Sequence, residues 1–301
     1  MRSRIARTRR FEGRLQCWIA TRARIWCPAL IEEATVDVDG VRVFYRRIGG
    51  DGPPAVFVHG NPTHSEEWLP FLGRIEGPAV ALDLPGWGRS ERPDPRRFDG
   101  SMDGLASFFE RFMNELEIGA HRLVVHDWGA LALIPAQRDP GRVRRLVILN
   151  AVPLLPGYRW HWIARQWRRR WVGEAFNATT SRPATALLLR QARADRGPMP
   201  PEFVDMIWSR FDRGTRRAIL ALYRSAPEDA LAATGRDLGS LACPTLVVWG
   251  ARDPYLPVAF ARAYADRLPN AELLELADAG HWPWVERPEI VERVVAFIDA
   301  V

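Results

Sequence analysis

Apolar and polar positions along this chain change period repeatedly. Ala34 to Ile48 alternates with a period of two around Asp39-Gly40, which predicts a β-hairpin. Short apolar runs follow at Pro54–His59, Ala79–Asp83, Leu123–His126, Arg144–Asn150, Pro244–Trp249 and Ala271–Leu276. Each is four to eight residues rich in Val, Ile and Leu and ends at a turn signal, the pattern of a strand buried on both faces. Between them, Met102–Leu116 has helical spacing, and Pro288–Ala300 reads as a closing helix. Strands alternating with helices predict a mostly parallel sheet covered on both faces.

The stretch from Val152 to Asp237 breaks that alternation. It reads as helices interrupted by Pro and Gly and carries Trp160, Trp162, Trp167, Trp171 and Trp208. An insertion between two sheet strands sits over the strands' carboxyl ends, where α/β sites lie. The expected organisation is therefore a core of residues 31–151 and 238–301 with a helical cap at 152–237. Before the core, residues 1–30 form a basic arm, expected to be flexible.

Composition narrows the class. The net charge of +6 is unevenly spread, since residues 1–30 hold eight Arg and one Glu and the remainder sums to −1. All 42 basic residues are Arg, a bias that reads as genome composition rather than selection for phosphate contacts. The run Arg165–Trp171 has the residue types of a nucleic-acid stripe, but a solvated cap face explains it with fewer assumptions, so no nucleic-acid partner is expected. The arm lacks the apolar run of a secretory signal, and weak contact with a membrane surface is the alternative to a plain extension. No stretch reaches 18 apolar residues, so no transmembrane segment is expected. Cys17, Cys27 and Cys243 have neither framework nor metal-ligand spacing. They point to a reducing, cytoplasmic compartment, and no metal or other cofactor is implied.

The chemistry centres on Val124-Val125-His126-Asp127-Trp128-Gly129-Ala130. A β-branched strand turns sharply at an acid and continues as a helix. Asp127 there could be a helix N-cap. Alternatively the segment resembles the nucleophile elbow of α/β-hydrolases, with Asp in place of the usual Ser. Asp253 and His281 follow at later strand exits, and nucleophile, acid, His is the chain order of triads in that fold. Asp253 would orient His281, and His281 would activate water. A carboxylate is already ionised at neutral pH and can displace a leaving group from a tetrahedral carbon, giving an ester that water then hydrolyses. The oxyanion of that second step would be held by backbone N–H groups of Asn61 and Trp128. A departing halide needs only hydrogen-bond donors, which the Asn61 amide and Trp128 indole supply. An epoxide oxygen needs a proton donor, typically Tyr.

His59-Gly60-Asn61-Pro62-Thr63 together with Val124 to Gly129 resembles the haloalkane dehalogenase family over residues 34 to 301, with a weakly matching cap. The resemblance implies an α/β-hydrolase fold with an eight-stranded, mostly parallel sheet and a helical cap after the sixth strand. It also implies Asp127 as nucleophile, Asn61 and Trp128 as halide ligands, and a small apolar substrate with water as co-reactant. Val125 fits dehalogenases, where epoxide hydrolases usually have Gly. Two departures stand. Many dehalogenases with the Asn ligand place a Glu after the sixth strand, where this chain has Asn150-Ala151-Val152. Tyr223, thirty residues before Asp253, is placed like the acid of epoxide hydrolases. The expected function is cleavage of a carbon–halogen bond. The alternatives are an epoxide hydrolase using Tyr223 as acid, or a hydrolase-fold protein that binds a small ligand without turnover.

Overall fold

The computed structural model describes residues 31–300 and, for the backbone alone, residues 6–10. The hairpin forms as the alternation predicts. Strand β1 (Glu32–Val38) pairs antiparallel with β2 (Val41–Ile48), in register Val38 to Val41. The two turn residues, Asp39 (φ 52°) and Gly40 (φ 80°), both take the left-handed conformation that a tight two-residue hairpin needs. The remaining strands are β3 (Ala55–Val58), β4 (Ala79–Leu82), β5 (His121–Asp127), β6 (Val143–Ala151), β7 (Thr245–Gly250) and β8 (Ala271–Leu276). They lie in the order β1-β2-β4-β3-β5-β6-β7-β8, antiparallel through β1, β2 and β4 and parallel from β4 onward. These are the eight expected strands. Ala6–Arg10 adds a short antiparallel strand outside β1. The rest of the arm, with the expectations placed on it, lies outside the described residues.

Successive side chains of the central strands feed two apolar layers. Val56, Val58, Val125 and Ile148 face one layer with helices α2 (Met102–Glu115), α3 (Leu133–Arg138) and α10 (Ala259–Arg267). Phe57, Val124, Val147 and Leu149 face the other, with α1 (Leu69–Leu72), α11 (Pro283–Glu286) and α12 (Glu289–Asp299). This two-faced burial is why the strands read as continuous apolar runs rather than alternating ones. Ser101 caps α2, its hydroxyl accepting from the Gly104 N–H at 3.0 Å.

Residues 152–237 form six helices: α4 (Trp162–Arg168), α5 (Val172–Thr179), α6 (Arg182–Leu189), α7 (Pro201–Trp208), α8 (Arg213–Ser225) and α9 (Glu228–Thr234). They enter after β6 and return to β7. Among the described residues, no helix is long and apolar enough to cross a membrane.

Candidate active site

Asp127 ends β5 with φ 47° and ψ −118°, a strained conformation for a residue with a side chain. The chain then runs through one 3-10 turn, Trp128–Ala132, before α3. Asp127 makes no capping hydrogen bond to this turn, so the N-cap reading does not describe it. Two glycines permit the bend. A Cβ on Gly129 would strike the Val58 carbonyl oxygen, and one on Gly60 would overlap the Asp127 side chain. The backbone thus packs close enough for the Asn61 N–H to donate to Asp127 Oδ2 at 2.7 Å. The Trp128 N–H lies beside the same carboxylate and favours its charged form. Burial raises the Asp127 pKa, while His281, His126 and the two N–H donors limit the rise.

Asp253 and His281 leave β7 and β8. His281 Nδ1 lies 2.8 Å from Asp253 Oδ2. The other oxygen, Oδ1, accepts from the backbone N–H groups of Tyr255 (2.7 Å) and Leu256 (3.1 Å). Asp253 is therefore a turn-forming aspartate and the partner of His281 at once. Burial favours its neutral form, but His281 and these donors outweigh burial and hold the pKa below the usual carboxylate value. Burial disfavours the charged form of His281, yet Asp253, Asp127 and Glu67 together raise its pKa above 6.5.

Asp127, His281, Asn61 and Tyr223 all line one cavity of about 80 Å³ between the sheet and the helical insertion. Its other walls are largely apolar, including Ile163, Leu188, Ile207 and Phe211. Asn61 is oriented from behind, since Trp87 Nε1 donates to its Oδ1 at 3.3 Å. That leaves Nδ2 facing the Tyr223 hydroxyl at 3.5 Å. The Trp128 ring packs against Trp160 and, edge-on, against Tyr223. Its indole N–H is buried and leans toward the Tyr223 hydroxyl without a hydrogen bond of normal geometry. Tyr223, on α8 of the insertion, is buried in contact with Trp160 and Trp167. Burial, reinforced by the charge of Asp127, raises its pKa well above 10, so it stays a protonated donor. The structure thus brings all six sequence-predicted residues into one neighbourhood.

Sequence reasoning missed several neighbours. Asn150, in the left-handed region (φ 33°), donates from Nδ2 to Asp253 Oδ2 at 2.6 Å and accepts the Gly250 N–H at 2.9 Å. A polar residue closing an apolar strand was its visible signal. Glu67 is fully buried behind the elbow. Its Oε1 lies 3.6 Å from His126 Nδ1, and Trp282 Nε1 donates to its Oε2 at 3.3 Å. Burial pushes Glu67 up, but His126 and Thr63 outweigh it and leave the pKa lowered. His126 Nε2 in turn lies 3.0 Å from the His281 carbonyl, so one side chain touches both the elbow and the base loop. In sequence, Glu67 carries no such signal, because two adjacent glutamates show no apolar period that would mark one of them as buried. His161, on the cavity wall, uses Nδ1 to accept the Ala164 N–H at 3.4 Å. Burial pulls its pKa down to about 3, so it is a neutral ring.

Comparison with known proteins gives a consistent family and several activities. The chain is 31% identical over 269 residues to the dihydrolipoyllysine-residue acetyltransferase component of the acetoin cleaving system of Cupriavidus necator, covering 83% of this chain but only 64% of that protein. It is 28% identical over 283 residues to a cis-3-alkyl-4-alkyloxetan-2-one decarboxylase of Xanthomonas campestris pv. campestris, covering 86% of this chain and 93% of the other. The crystal structure of a haloalkane dehalogenase from Bradyrhizobium elkani superposes with a TM-score of 0.76 at 28% identity, over 88% of this chain and 96% of that one. Residues 53–288 match the alpha/beta hydrolase fold family, and the chain belongs to that family.

Proposed function

We propose that this hydrolase cleaves a carbon–halogen bond of a small apolar substrate. The observation that carries the reading is the pair of donors beside Asp127. The Trp128 indole N–H is buried without a normal hydrogen bond, and the Asn61 amide is turned toward the same place by Trp87. A buried donor left unmatched costs free energy, and a halide departing from a carbon held at Asp127 would satisfy it. Similarity to a haloalkane dehalogenase structure supports the same choice.

The proposed reaction uses these residues in two steps. One Asp127 oxygen attacks the halogen-bearing carbon as the other stays beside the Asn61 and Trp128 N–H groups. The C–O bond forms as the C–halogen bond breaks, and the halide takes the bonding electron pair to Asn61 Nδ2 and Trp128 Nε1. Water then attacks the ester carbonyl carbon and gives a proton to His281 Nε2, while Asp253 stabilises the imidazolium through Nδ1. The backbone N–H groups of Asn61, already bonded to the carboxylate, and of Trp128 beside it hold the oxyanion. As that intermediate collapses, the C–O bond to the alkyl group's oxygen breaks and the departing alkoxide takes the proton from His281 Nε2, leaving as alcohol. The acid left on Asp127 then gives its proton to solvent and returns as the carboxylate.

A second reading has its own observation. The Tyr223 hydroxyl, buried and protonated, stands 3.5 Å from Asn61 Nδ2. There it could protonate the oxygen of a strained ring opened by Asp127, as in an epoxide. Halide release from 1,2-dibromoethane against diol formation from styrene oxide separates the two. Diol formation abolished by Tyr223→Phe, without halide release by the parent enzyme, overturns the dehalogenase reading. Ligand binding without turnover on either substrate supports a non-catalytic role.

A further inference from the structure

We propose that the outer face of the helical insertion docks on an anionic lipid surface. This inference does not depend on the reaction. The large apolar side chains exposed among the described residues all fall within it: Trp162 (43% exposed), Trp171 (73%), Val172 (42%) and Leu187 (68%).

They are linked rather than scattered. The Trp162 ring meets Phe176 at 6.2 Å, and its Nε1 donates to Gln191 Oε1 at 3.1 Å. Val172 stands four residues before Phe176 on α5, and Leu187 stands four before Gln191 on α6 and its 3-10 extension, so each pair shares one helix face. Val172 and Leu187 thus flank Trp162 from two helices. Trp171, next to Val172, holds its indole outward on a backbone with φ 67°, a conformation that costs a non-glycine residue energy. Arg170 lies over its ring at 5.3 Å.

Charge selects the partner. Residues 152–237 carry fifteen Arg against eight Asp and Glu, a surplus of +7, while residues 31–151 and 238–301 together sum to −8. Arg165, Arg169 and Arg170 are exposed beside the apolar strip. Interfacial Trp with a basic surround is the combination that seats a helix in the headgroup region of an anionic bilayer. Nucleic acid would use the Arg and Trp side chains but gain nothing from Leu187 and Val172. Ile163, Phe176 and Leu188, neighbours of these residues, line the cavity. The strip is therefore the outer surface of the cavity's own wall, and docking would bring that wall against a reservoir of dissolved apolar substrate.

The test is flotation of the full chain with vesicles of phosphatidylcholine alone and of phosphatidylcholine with phosphatidylglycerol at 3:1. We expect at least about tenfold tighter binding to the anionic vesicles, weakened at 0.5 M NaCl by screening. Trp171→Ser/Leu187→Ser should lose about tenfold with an unchanged melting curve. Arg169→Gln/Arg170→Gln, which leaves the apolar side chains in place, should lose selectivity for the anionic lipid, and it serves if the first variant misfolds. Undiminished binding in both variants places lipid contact elsewhere and overturns the proposal. Tighter binding to a 30-nucleotide single-stranded DNA than to vesicles overturns it in favour of nucleic acid. A dimer abolished by Trp171→Ser/Leu187→Ser, without vesicle binding, overturns it in favour of self-association.

Discussion

Asn150 Nδ2 donates at 2.6 Å to Asp253 Oδ2, the same oxygen that faces His281 Nδ1. Because Asn150 also accepts from the Gly250 N–H, it ties the exit of β6 to that of β7 and sets where the acid sits. Asn150→Leu keeps the volume and removes both bonds. Leaving a buried acceptor short of a partner costs about 1–3 kcal/mol, which corresponds to roughly 5- to 150-fold in rate. The loss should fall on ester hydrolysis and spare alkylation. Rapid-quench measurement of both steps checks this, and equal slowing of the two would refute a role through Asp253.

His281→Gln should separate the half-reactions completely. Attack by Asp127 needs no base, whereas the water does. About one equivalent of halide per site should appear, followed by a stall. Mass spectrometry of the intact protein should show an added alkyl group, which peptide mapping places on Asp127. Steady turnover, or an adduct on another residue, would remove the mechanism.

The donors beside Asp127 should differ in weight. Asn61→Ala and Trp128→Phe each remove a hydrogen bond to developing charge, worth roughly 2.7–4 kcal/mol at comparable sites. Trp87→Phe only frees the Asn61 amide to turn and should cost about 0.5–1.5 kcal/mol. Single-turnover halide release gives the ranking. A Trp87 effect as large as that of Asn61 would mean the amide is not positioned from behind.

The two steps should have separate acid limits. Asp127 must be charged to attack, and its pKa lies above 3.8, burial outweighing its donors. His281 must be neutral to accept a proton from water. In the free chain Asp253, Asp127 and Glu67 outweigh burial and raise its pKa above 6.5; in the ester Asp127 carries no charge, and Asp253 and Glu67 remain. As pH falls, protonation of His281 should stop hydrolysis, and protonation of Asp127 should stop alkylation. Ester should accumulate wherever His281 is protonated while Asp127 is still charged. Glu67→Gln removes one of the anions raising His281, so the hydrolysis limit should move to lower pH. A limit that stays in place would show that Glu67 acts on packing alone.

Asp127 should also lower stability. A carboxyl whose folded pKa is raised disfavours its charged form in the folded chain. Stability is therefore lost as pH rises from the unfolded value near 3.8 through the folded one. Asp127→Asn should raise Tm by a few degrees at pH 7, with the gain vanishing below about pH 3.8. A gain that is constant with pH would trace to something other than ionisation.

What the sequence determined alone was whatever depends on near neighbours along the chain. Asp39-Gly40 prescribed its hairpin because only those residue types accept two left-handed positions cheaply. The central apolar runs announced strands buried on both faces. The order Asp127, Asp253, His281 at strand exits marked the candidate site, since parallel strands deliver their carboxyl ends to one edge. The fold decided the rest through contacts between residues far apart. Asn150 meets Asp253 103 positions away, and Asn61 meets Tyr223 162 positions away. Such pairs depend on strand order and on how the insertion folds back, which no local period records. Glu67 shows the limit most clearly. Nothing in its local sequence marks it, yet it is buried against His126, a residue that β5 brings alongside β3.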